Sequence, residues 1–160
     1  LKLVLEPYKT DYDYILLDCA PSLGMMPINE LAATDGIIVP TIPQHFPTKG
    51  IEKLLESVHQ VRRGINPKLK IEGILMTLMD GRTVYEREIS EMIWNAYGGK
   101  INIFETEIPR SVRAAETSAE GKSIFAYAPR SKVAEAYRQL TKEVLALEKQ
   151  REEHRAEIGR

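Results

Sequence analysis

The sequence has few of the features that mark secreted, disulfide-bonded or membrane proteins. Its 160 residues contain one cysteine, Cys19, which excludes an internal disulfide and a metal site built from several cysteines. No apolar run approaches the roughly 20 residues that a membrane-spanning helix needs, and no signal peptide is visible. The 22 basic and 23 acidic residues nearly cancel, so net charge neither favours nor excludes nucleic acid as a partner. We therefore expect a cytoplasmic protein.

Segments typical of strands alternate with segments of helical period. Continuous apolar runs predict strands at residues 14–17, 36–40 and 71–78, and residues 103–108 are a further candidate. Helices are predicted over residues 29–33, from residue 48 to the Asn66-Pro67 pair, from residue 83 to 96, and over residues 112–119 and 133–147. This alternation predicts an α/β fold, with a mostly parallel sheet and helices on both of its faces.

A capping sequence marks the start of one predicted helix. Thr83 and Glu86 have the spacing of a capping box, in which the threonine hydroxyl accepts a backbone hydrogen bond and the glutamate reaches back to the cap residue. The predicted buried face of this helix consists of Ile89, Met92, Ile93 and Ala96.

A carboxylate, Asp18, directly follows the apolar run at residues 14–17. Ligands of parallel sheets bind at the carboxyl ends of the strands. An apolar strand that ends in aspartate is typical of a Walker B motif, where the carboxylate orients the water shell of Mg²⁺ beside a nucleoside triphosphate. Ordinary strand-to-loop junctions also carry aspartate, so this pattern alone is a weak signal.

The sequence after Asp18 makes the signal specific. Residues 18–40, DCAPSLGMMPINELAATDGIIVP, resemble the ParA/MinD family of P-loop ATPases with a deviant Walker A motif, and within it the ParA/Soj-type partition ATPases. Ala20 stands where the family usually has proline. Three further blocks match in the family's order: GILMTLMDGRT (73–83), IPRSVRAAE (108–116) and GKSIFAYAPRSKVAEAY (121–137). Together the four blocks span most of the chain.

This resemblance implies a nucleotide site that uses ATP and Mg²⁺. Asp18 corresponds to the Walker B aspartate, a catalytic residue that holds Mg²⁺ through water. Residues 19–24 correspond to the switch II loop, which senses the γ-phosphate, and Pro21 and Gly24 would set its shape. The resemblance also places an adenine-contacting loop at Pro109 and Arg110. Asp80, near another strand end, is a weaker candidate for nucleotide contact.

One motif of the family is missing from the sequence. The family's ATP site uses a glycine-rich loop, KGGxGKT, whose N–H groups and lysines bind phosphate. The nearest match, at residues 98–100, follows a predicted helix and indicates a helix stop. The resemblance therefore implies that residues 1–147 are the C-terminal portion of a single ParA-type ATPase domain, followed at 148–160 by a charged, frayed tail. We expect the chain alone to bind nucleotide poorly and not to hydrolyse ATP.

Several cations are candidates for DNA contact. Arg82 and Arg113 correspond to arginines that contribute to sequence-independent DNA binding in Soj-type proteins. Guanidinium groups suit this role because they pair with phosphate without reading bases. Lys122, Arg130 and Lys132 would extend the basic surface. Without the resemblance, surface ion pairs would be the simpler interpretation.

The function that the resemblance implies is ATP-dependent partitioning of a plasmid or a chromosome. ATP would drive formation of a homodimer, which would bind nonspecific double-stranded DNA of the bacterial nucleoid. A ParB-type centromere-binding protein would stimulate hydrolysis and release the dimer. The sequence does not distinguish plasmid from chromosome as the cargo.

Other functions remain alternatives. A MinD-like positioning ATPase would bind membranes through a C-terminal amphipathic helix, but residues 148–160 contain only Ala156 and Ile158 as apolar residues. An iron–sulfur carrier of a related type would need a pair of cysteines. A stand-alone, nucleotide-free interaction module is not excluded.

The remaining reactive side chains have simpler interpretations. Cys19 has no histidine close in sequence, and we expect it to be a small buried residue. His45, His59 and His154 lack the spacing of metal ligands.

Overall fold

The structure of the protein, a computed structural model, describes residues 1–19, 25–43, 47–81 and 83–158. The chain divides into two compact units. The first comprises Leu1–Ile37 and Thr48–Ile71, and the second comprises Ile38–Pro47 and Glu72–Arg160. Helices accompany a three-stranded parallel sheet, so the predicted α/β class is confirmed. No helix among the described residues is long and apolar enough to cross a membrane.

Helices form most of the first unit. They are α1 (Lys2–Leu5), a 3-10 helix (Glu6–Thr10), α2 (Met25–Ala33) and α3 (Pro47–Gly64). Leu31 of α2 packs with Val58 and Val61 of α3 and with Leu69 in a buried cluster. The apolar side chains of α3 recur at helical spacing, so one face of the helix enters this core and the prediction of a helix is confirmed.

The side chain of Asn66 hydrogen-bonds the C-terminal end of α2 to the segment that follows α3. Its Nδ2 donates to the carbonyl oxygens of Leu31, at 3.0 Å, and Thr34, at 2.8 Å. These carbonyls lie at the C-terminus of α2, where the helix itself supplies no partners. The Asn66-Pro67 pair therefore has two roles. It follows the end of α3, and its asparagine supplies hydrogen-bond donors to carbonyl oxygens at the end of α2.

The predicted strand at residues 14–17 is wrong. This segment forms neither helix nor strand in the structure, and Leu16 is 91% exposed. An apolar run can become a strand only where a neighbouring strand takes up its backbone N–H and C=O groups. The described strands pair in the order β1-β2-β3, and residues 14–17 belong to none of them.

The sheet comprises β1 (Gly36–Thr41), β2 (Lys70–Met79) and β3 (Ile108–Pro109), with β2 in the centre. The first two strands are confirmed, although Pro40 lies inside β1 rather than at its end. Strands β2 and β3 pair in parallel, with Thr77 opposite Ile108 and Met79 opposite Pro109. One residue of β2, Leu78, is therefore left over as a bulge.

The predicted strand at residues 103–108 is much shorter than expected. Ile103 makes an isolated parallel bridge with Ile74, and regular pairing resumes only at Ile108. Between them, the backbone N–H groups of Glu105 and Thr106 donate to a side chain of the last helix instead of to a strand. The sequence pattern does not reveal this competing partner.

Four helices described in the second unit are α4 (Val84–Tyr97), α5 (Val112–Glu120), α6 (Ile124–Tyr127) and α7 (Lys132–Ile158). Ser111 and Ser123 cap α5 and α6 through their hydroxyl groups. Phe104 and Val133 belong to the buried core, against which the apolar face of α7 packs. The helical prediction for α7 is confirmed, but its end near Leu147 is wrong, because the helix continues to Ile158.

The predicted buried face of α4 is partly wrong. Ile89 and Ile93 are buried as expected, whereas Met92 is 49% exposed, Ala96 is also exposed, and Tyr97 is buried instead. Ile89, Ile93 and Tyr97 follow one another at intervals of four residues, which places them along one side of the helix. The core lies on that side, and Met92 falls outside it.

Candidate functional site

The carboxyl end of β2 has an unusual backbone. Leu78, the bulge residue, has φ of 55°, and Gly81 has φ of 67°. Glycine adopts such angles easily, but leucine does so only under constraint from its surroundings. Bulges often occur beside functional sites, where they redirect the chain at the end of a strand. The bulge at Leu78 leads directly into the turn at Asp80 and Gly81.

Glu86 holds this turn. Its Oε2 atom accepts hydrogen bonds from the backbone N–H groups of Asp80 and Gly81, both at 2.9 Å. Thr83 caps α4 by accepting a hydrogen bond from the N–H of Glu86, as the capping box predicts. The glutamate of that box therefore reaches beyond the cap residue to the preceding turn.

The end of β3 lies beside the end of β2. The N–H of Arg110 donates to the carbonyl of Met79 at 2.9 Å, and Pro109 continues the parallel pairing. Pro109 is half-buried and Arg110 is exposed. The structure thus brings together three predicted nucleotide-site residues, Asp80, Pro109 and Arg110, at neighbouring strand ends.

A second carboxylate, Glu143 of α7, holds the segment that precedes β3. Its Oε2 accepts from the N–H of Glu105 and its Oε1 from the N–H of Thr106, both at 2.9 Å. The hydroxyl of Thr106 also donates to Oε1. Three donors of this segment therefore end on one side chain.

A cavity of about 440 Å³ lies among these elements. Residues 79–81 form one wall, and Thr106, Glu107 and Pro109 form a second. The third wall consists of α7 side chains between residues 132 and 139, among them Lys132, which the sequence suggested for DNA contact. A cavity at the carboxyl ends of parallel strands is the usual position of a ligand site in an α/β fold.

A larger depression, of about 540 Å³, lies along α4. Its lining includes Glu88, Glu91 and Met92, and all of its lining residues belong to that single helix. It is a groove on an exposed helix face, to which no strand end contributes. We therefore take the cavity between β2, β3 and α7 as the candidate site.

Acidic groups give this cavity its electrostatic character. Burial, followed by the nearby charge of Glu86, raises the pKa of Glu107 above its ordinary value. A hydrogen bond from Gln139, followed by one from Arg138, lowers the pKa of Glu135. Because both glutamates line the cavity, its walls present hydrogen-bond acceptors, with Lys132 as a cation among them.

The predicted magnesium ligand, Asp18, lies in the first unit. It is exposed and belongs to a segment without helix or strand. Its neighbour Cys19 is also exposed, so the prediction of a buried cysteine is wrong. Partial burial, a hydrogen bond to Glu30 and the charge of Glu30 nevertheless raise the pKa of Cys19 to about 11. The thiol is therefore protonated at neutral pH and is a poor nucleophile.

Three predicted site residues lie outside the described part of the chain. They are Pro21 and Gly24 of the switch-like loop and Arg82 of the presumed DNA surface. Among the residues that the structure does describe, no group of three or more His, Cys, Asp or Glu side chains is arranged to hold a metal ion.

The other predicted DNA-binding cations are Arg113, Lys122, Arg130 and Lys132, and all four side chains are exposed. Lys122 forms an exposed ion pair with Glu120 at 3.5 Å. The hydroxyl of Tyr127 donates to Glu116 at 3.0 Å. This hydrogen bond raises the pKa of Tyr127, and the positive charge of Arg113 opposes that rise. The surface that carries these cations therefore also carries carboxylates.

Reasoning from the sequence missed two residues at this site. The Thr83–Glu86 motif pointed to Glu86, but only as a helix cap. Glu143 lies 37 residues from Thr106 in the sequence, and its position on α7 gave no sign of this contact. An acidic residue on the buried flank of an amphipathic helix is the only signal that could have suggested it.

Comparison with known proteins finds one matching family model and several relatives. The model of a family described as an AAA domain matches residues 1–71. The sporulation initiation inhibitor protein Soj of Bacillus subtilis is 41% identical over 146 residues, which are 91% of this chain and 57% of Soj. The chromosome partitioning protein ParA of Myxococcus xanthus is 37% identical over 145 residues, or 91% of this chain and 50% of ParA. These similarities support a ParA/Soj-type ATPase.

A solved structure supports the α/β fold of this chain. Cobyrinic acid a,c-diamide synthase from Mycobacterium smegmatis, with a bound ATP analog and magnesium, superposes with a TM-score of 0.70 and 30% sequence identity. The match covers 86% of this chain and 49% of that protein. The chain thus spans about half the length of the relatives that it matches.

Proposed function

We propose that this chain is part of a ParA/Soj-type ATP hydrolase that partitions plasmid or chromosomal DNA. The observation that carries the proposal is its similarity, over nine-tenths of its length, to proteins named for chromosome partitioning. Residues 1–147 would belong to one ATPase domain, and the cavity between β2, β3 and α7 would receive the base of ATP. The protein would act in the bacterial cytoplasm, on the nucleoid.

The proposed nucleotide contacts fall at strand ends. Pro109 and Arg110 would contact the adenine, and Asp80 would border it at the turn after β2. The half-buried ring of Pro109 offers an apolar face, and the acceptors of the cavity walls suit the exocyclic amine of the base. Pro21 and Gly24 would shape the loop that responds to the γ-phosphate.

The donor set also fits magnesium in one respect. Mg²⁺ in phosphate-handling enzymes is commonly held by one or two carboxylates together with water and phosphate oxygens, rather than by a protein cage. Asp18 supplies one carboxylate, and the described residues contain no cage of three acidic or imidazole ligands. Asp18 would orient the water shell of Mg²⁺, which would neutralise negative charge on the phosphates, and ATP would supply the γ-phosphoryl group.

Phosphate binding needs groups that these 160 residues do not contain. The sequence has no glycine-rich loop with its lysines, and such a loop normally neutralises the phosphates. We therefore expect the 160-residue chain alone to bind ATP weakly and to hydrolyse none. The full-length gene product is the material to test.

DNA binding is the second half of the proposal. Arg82, Arg113, Lys122, Arg130 and Lys132 would contact phosphates of double-stranded DNA without reading its sequence. The last four are exposed, as such contacts require. An ATP-bound homodimer would double the number of contacts, and a ParB-type centromere-binding protein would trigger hydrolysis and release.

The experiment is binding of the full-length gene product to random-sequence duplex DNA, with ATP, ADP or no nucleotide, at several salt concentrations. We expect binding only with ATP, and an association constant that falls linearly on a log–log plot against salt, because released counterions drive binding. Asp18→Ala should abolish the effect of ATP. Arg113→Glu should weaken binding on every DNA sequence alike.

The matched control for Arg113 is Arg87→Glu, the same charge reversal at an exposed arginine on α4. This variant should bind DNA as the wild type does. Binding that ignores the nucleotide, or equal losses in Arg87→Glu and Arg113→Glu, would overturn the DNA role and leave an ATPase that acts on another surface.

A further inference from the structure

Two helices each extend one carboxylate to a wall of the cavity. Glu86 of α4 accepts two N–H groups of the turn at Asp80 and Gly81. Glu143 of α7 accepts two N–H groups and one hydroxyl of the segment at Glu105 and Thr106. Neither carboxylate belongs to the residues that the family resemblance assigned to the site.

The turn held by Glu86 lies beyond the regular pairing of β2 with β3. It follows Leu78, which has φ of 55°, and it contains Gly81, which has φ of 67°. Regular pairing of β2 with β3 ends at Met79, and the next two N–H groups donate to Glu86. A charged acceptor gives stronger hydrogen bonds than a neutral one. Glu86 therefore fixes the position of a wall that the strand no longer holds.

The segment held by Glu143 also lies outside the regular pairing of β2 with β3. Between the bridge at Ile103 and the strand at Ile108, two consecutive N–H groups point to one side chain rather than to β2. Pro109, which lines the cavity, lies three residues after Thr106. By holding Glu105 and Thr106 in place, Glu143 therefore positions the residues that follow them in the cavity wall.

We propose that Glu86 and Glu143 are positioning residues that hold the two walls at the correct separation for a planar nucleotide base. This inference rests on the proposed function of the cavity as a base site. A base gains more affinity from a slot that exists before binding, because ordering the walls at the moment of binding costs free energy. Neither residue needs to touch the nucleotide.

The hydrogen-bond geometry differs between the two glutamates, so replacing each by glutamine should have a different effect. Both N–H groups at Glu86 end on the same atom, Oε2, so the carbonyl oxygen of a glutamine can accept both. At Glu143 the two N–H groups end on different oxygens. A glutamine there would place its NH₂ group against an N–H donor. Glutamine should therefore work at position 86 and fail at position 143.

The test compares dissociation constants for ATP and for inorganic tripolyphosphate, measured by calorimetry on the full-length gene product. Tripolyphosphate has no base, so the ratio of the two constants reports the base slot and is independent of the folded fraction. Glu86→Ala and Glu143→Gln should each reduce the preference for ATP about tenfold, and Glu86→Gln should change it less than about threefold. Thermal melts should accompany each measurement.

Two control variants carry the same charge change at exposed glutamates of the same helices: Glu88→Gln on α4 and Glu152→Gln on α7. Both should keep the wild-type ratio. If the wild type itself shows no preference for ATP over tripolyphosphate, the base-site function fails, and this inference fails with it. If the wild type prefers ATP and Glu86→Ala and Glu143→Gln keep that preference, the inference alone is overturned.

Discussion

Arg151, near the end of α7, forms an ion pair with Glu72 of β2, 79 residues earlier in the chain. The two side chains are 32% and 18% exposed, so the pair is screened from water more than the other ion pairs of the described residues. This contact links the end of α7 to β2, within a highly charged segment whose helical structure apolar periodicity does not predict.

Breaking this ion pair should loosen the end of α7. We expect Arg151→Ala to lower the free energy of unfolding by about 1–2 kcal/mol, because it leaves the half-buried Glu72 carboxylate without its cation. Amide exchange of residues 148–158 should rise at the same time. The control is Lys149→Ala, whose ion pair with Glu153 is 78% and 63% exposed and should contribute almost nothing. Equal exchange in both variants would show that the ion pair does not hold the helix end.

These contacts explain which elements of the fold could be predicted from the sequence and which could not. Strands β1 and β2 and helix α3 follow from local apolar patterns, because each buries the face that its period defines. The same patterns failed where a distant group decided the structure. Glu72 stabilises helix beyond Leu147, and Glu143 takes the N–H groups that a strand at residues 103–108 would have used.

The candidate site could likewise be predicted from the sequence only in part. Pro109, Arg110 and Asp80 were expected at strand ends, and the structure brings them together. The left-handed backbone of Leu78 has no sequence signal, because glycine or asparagine is the residue that normally marks such a position. The expected strand before Asp18 failed for a related reason, since an apolar run does not name the strand that must pair with it.

The bulge at Leu78 gives a prediction that reverses the usual order of two substitutions. In a regular strand glycine is less stable than alanine by about 0.5–1 kcal/mol. With φ of 55° at Leu78, alanine keeps the backbone strain and glycine removes it. We expect Leu78→Gly to be more stable than Leu78→Ala by about 1 kcal/mol in chemical denaturation.

Thr77, the preceding residue of β2, is the matched control, because it pairs regularly with Ile108. Thr77→Ala should be more stable than Thr77→Gly. If alanine is the more stable replacement at both positions, the left-handed backbone of Leu78 is not under strain.

Gly73 of β2 lies too close to its neighbours for any side chain. A Cβ atom there would lie 2.7 Å from Cε2 of Phe104 and 2.8 Å from Nδ2 of Asn102. Phe104 is only 2% exposed and has no room to withdraw. Gly73→Ala should therefore cost about 1–3 kcal/mol of stability through overpacking. Gly99→Ala, where no atom lies within 4 Å, should be close to neutral in the same thermal and chemical unfolding measurements.

Cys19 should be a slow nucleophile although it is exposed. Partial burial and the neighbouring Glu30 raise the pKa of its thiol to about 11, and only the thiolate reacts. At pH 8 its alkylation should be about 100-fold slower than that of a thiol with a pKa near 9, since each pKa unit changes the thiolate fraction tenfold. Iodoacetamide labelling is unambiguous because the chain has one cysteine.

The dependence of this rate on pH identifies the cause. The labelling rate should keep rising to about pH 11, and Glu30→Gln should shift the curve to lower pH because it removes the charge beside the thiol. Asp35→Asn, an exposed carboxylate change in the same unit, should leave the curve in place. The protein unfolded in urea should label at the rate of an ordinary cysteine. A folded protein that labels as fast as the unfolded one would mean that neither burial nor Glu30 governs this thiol.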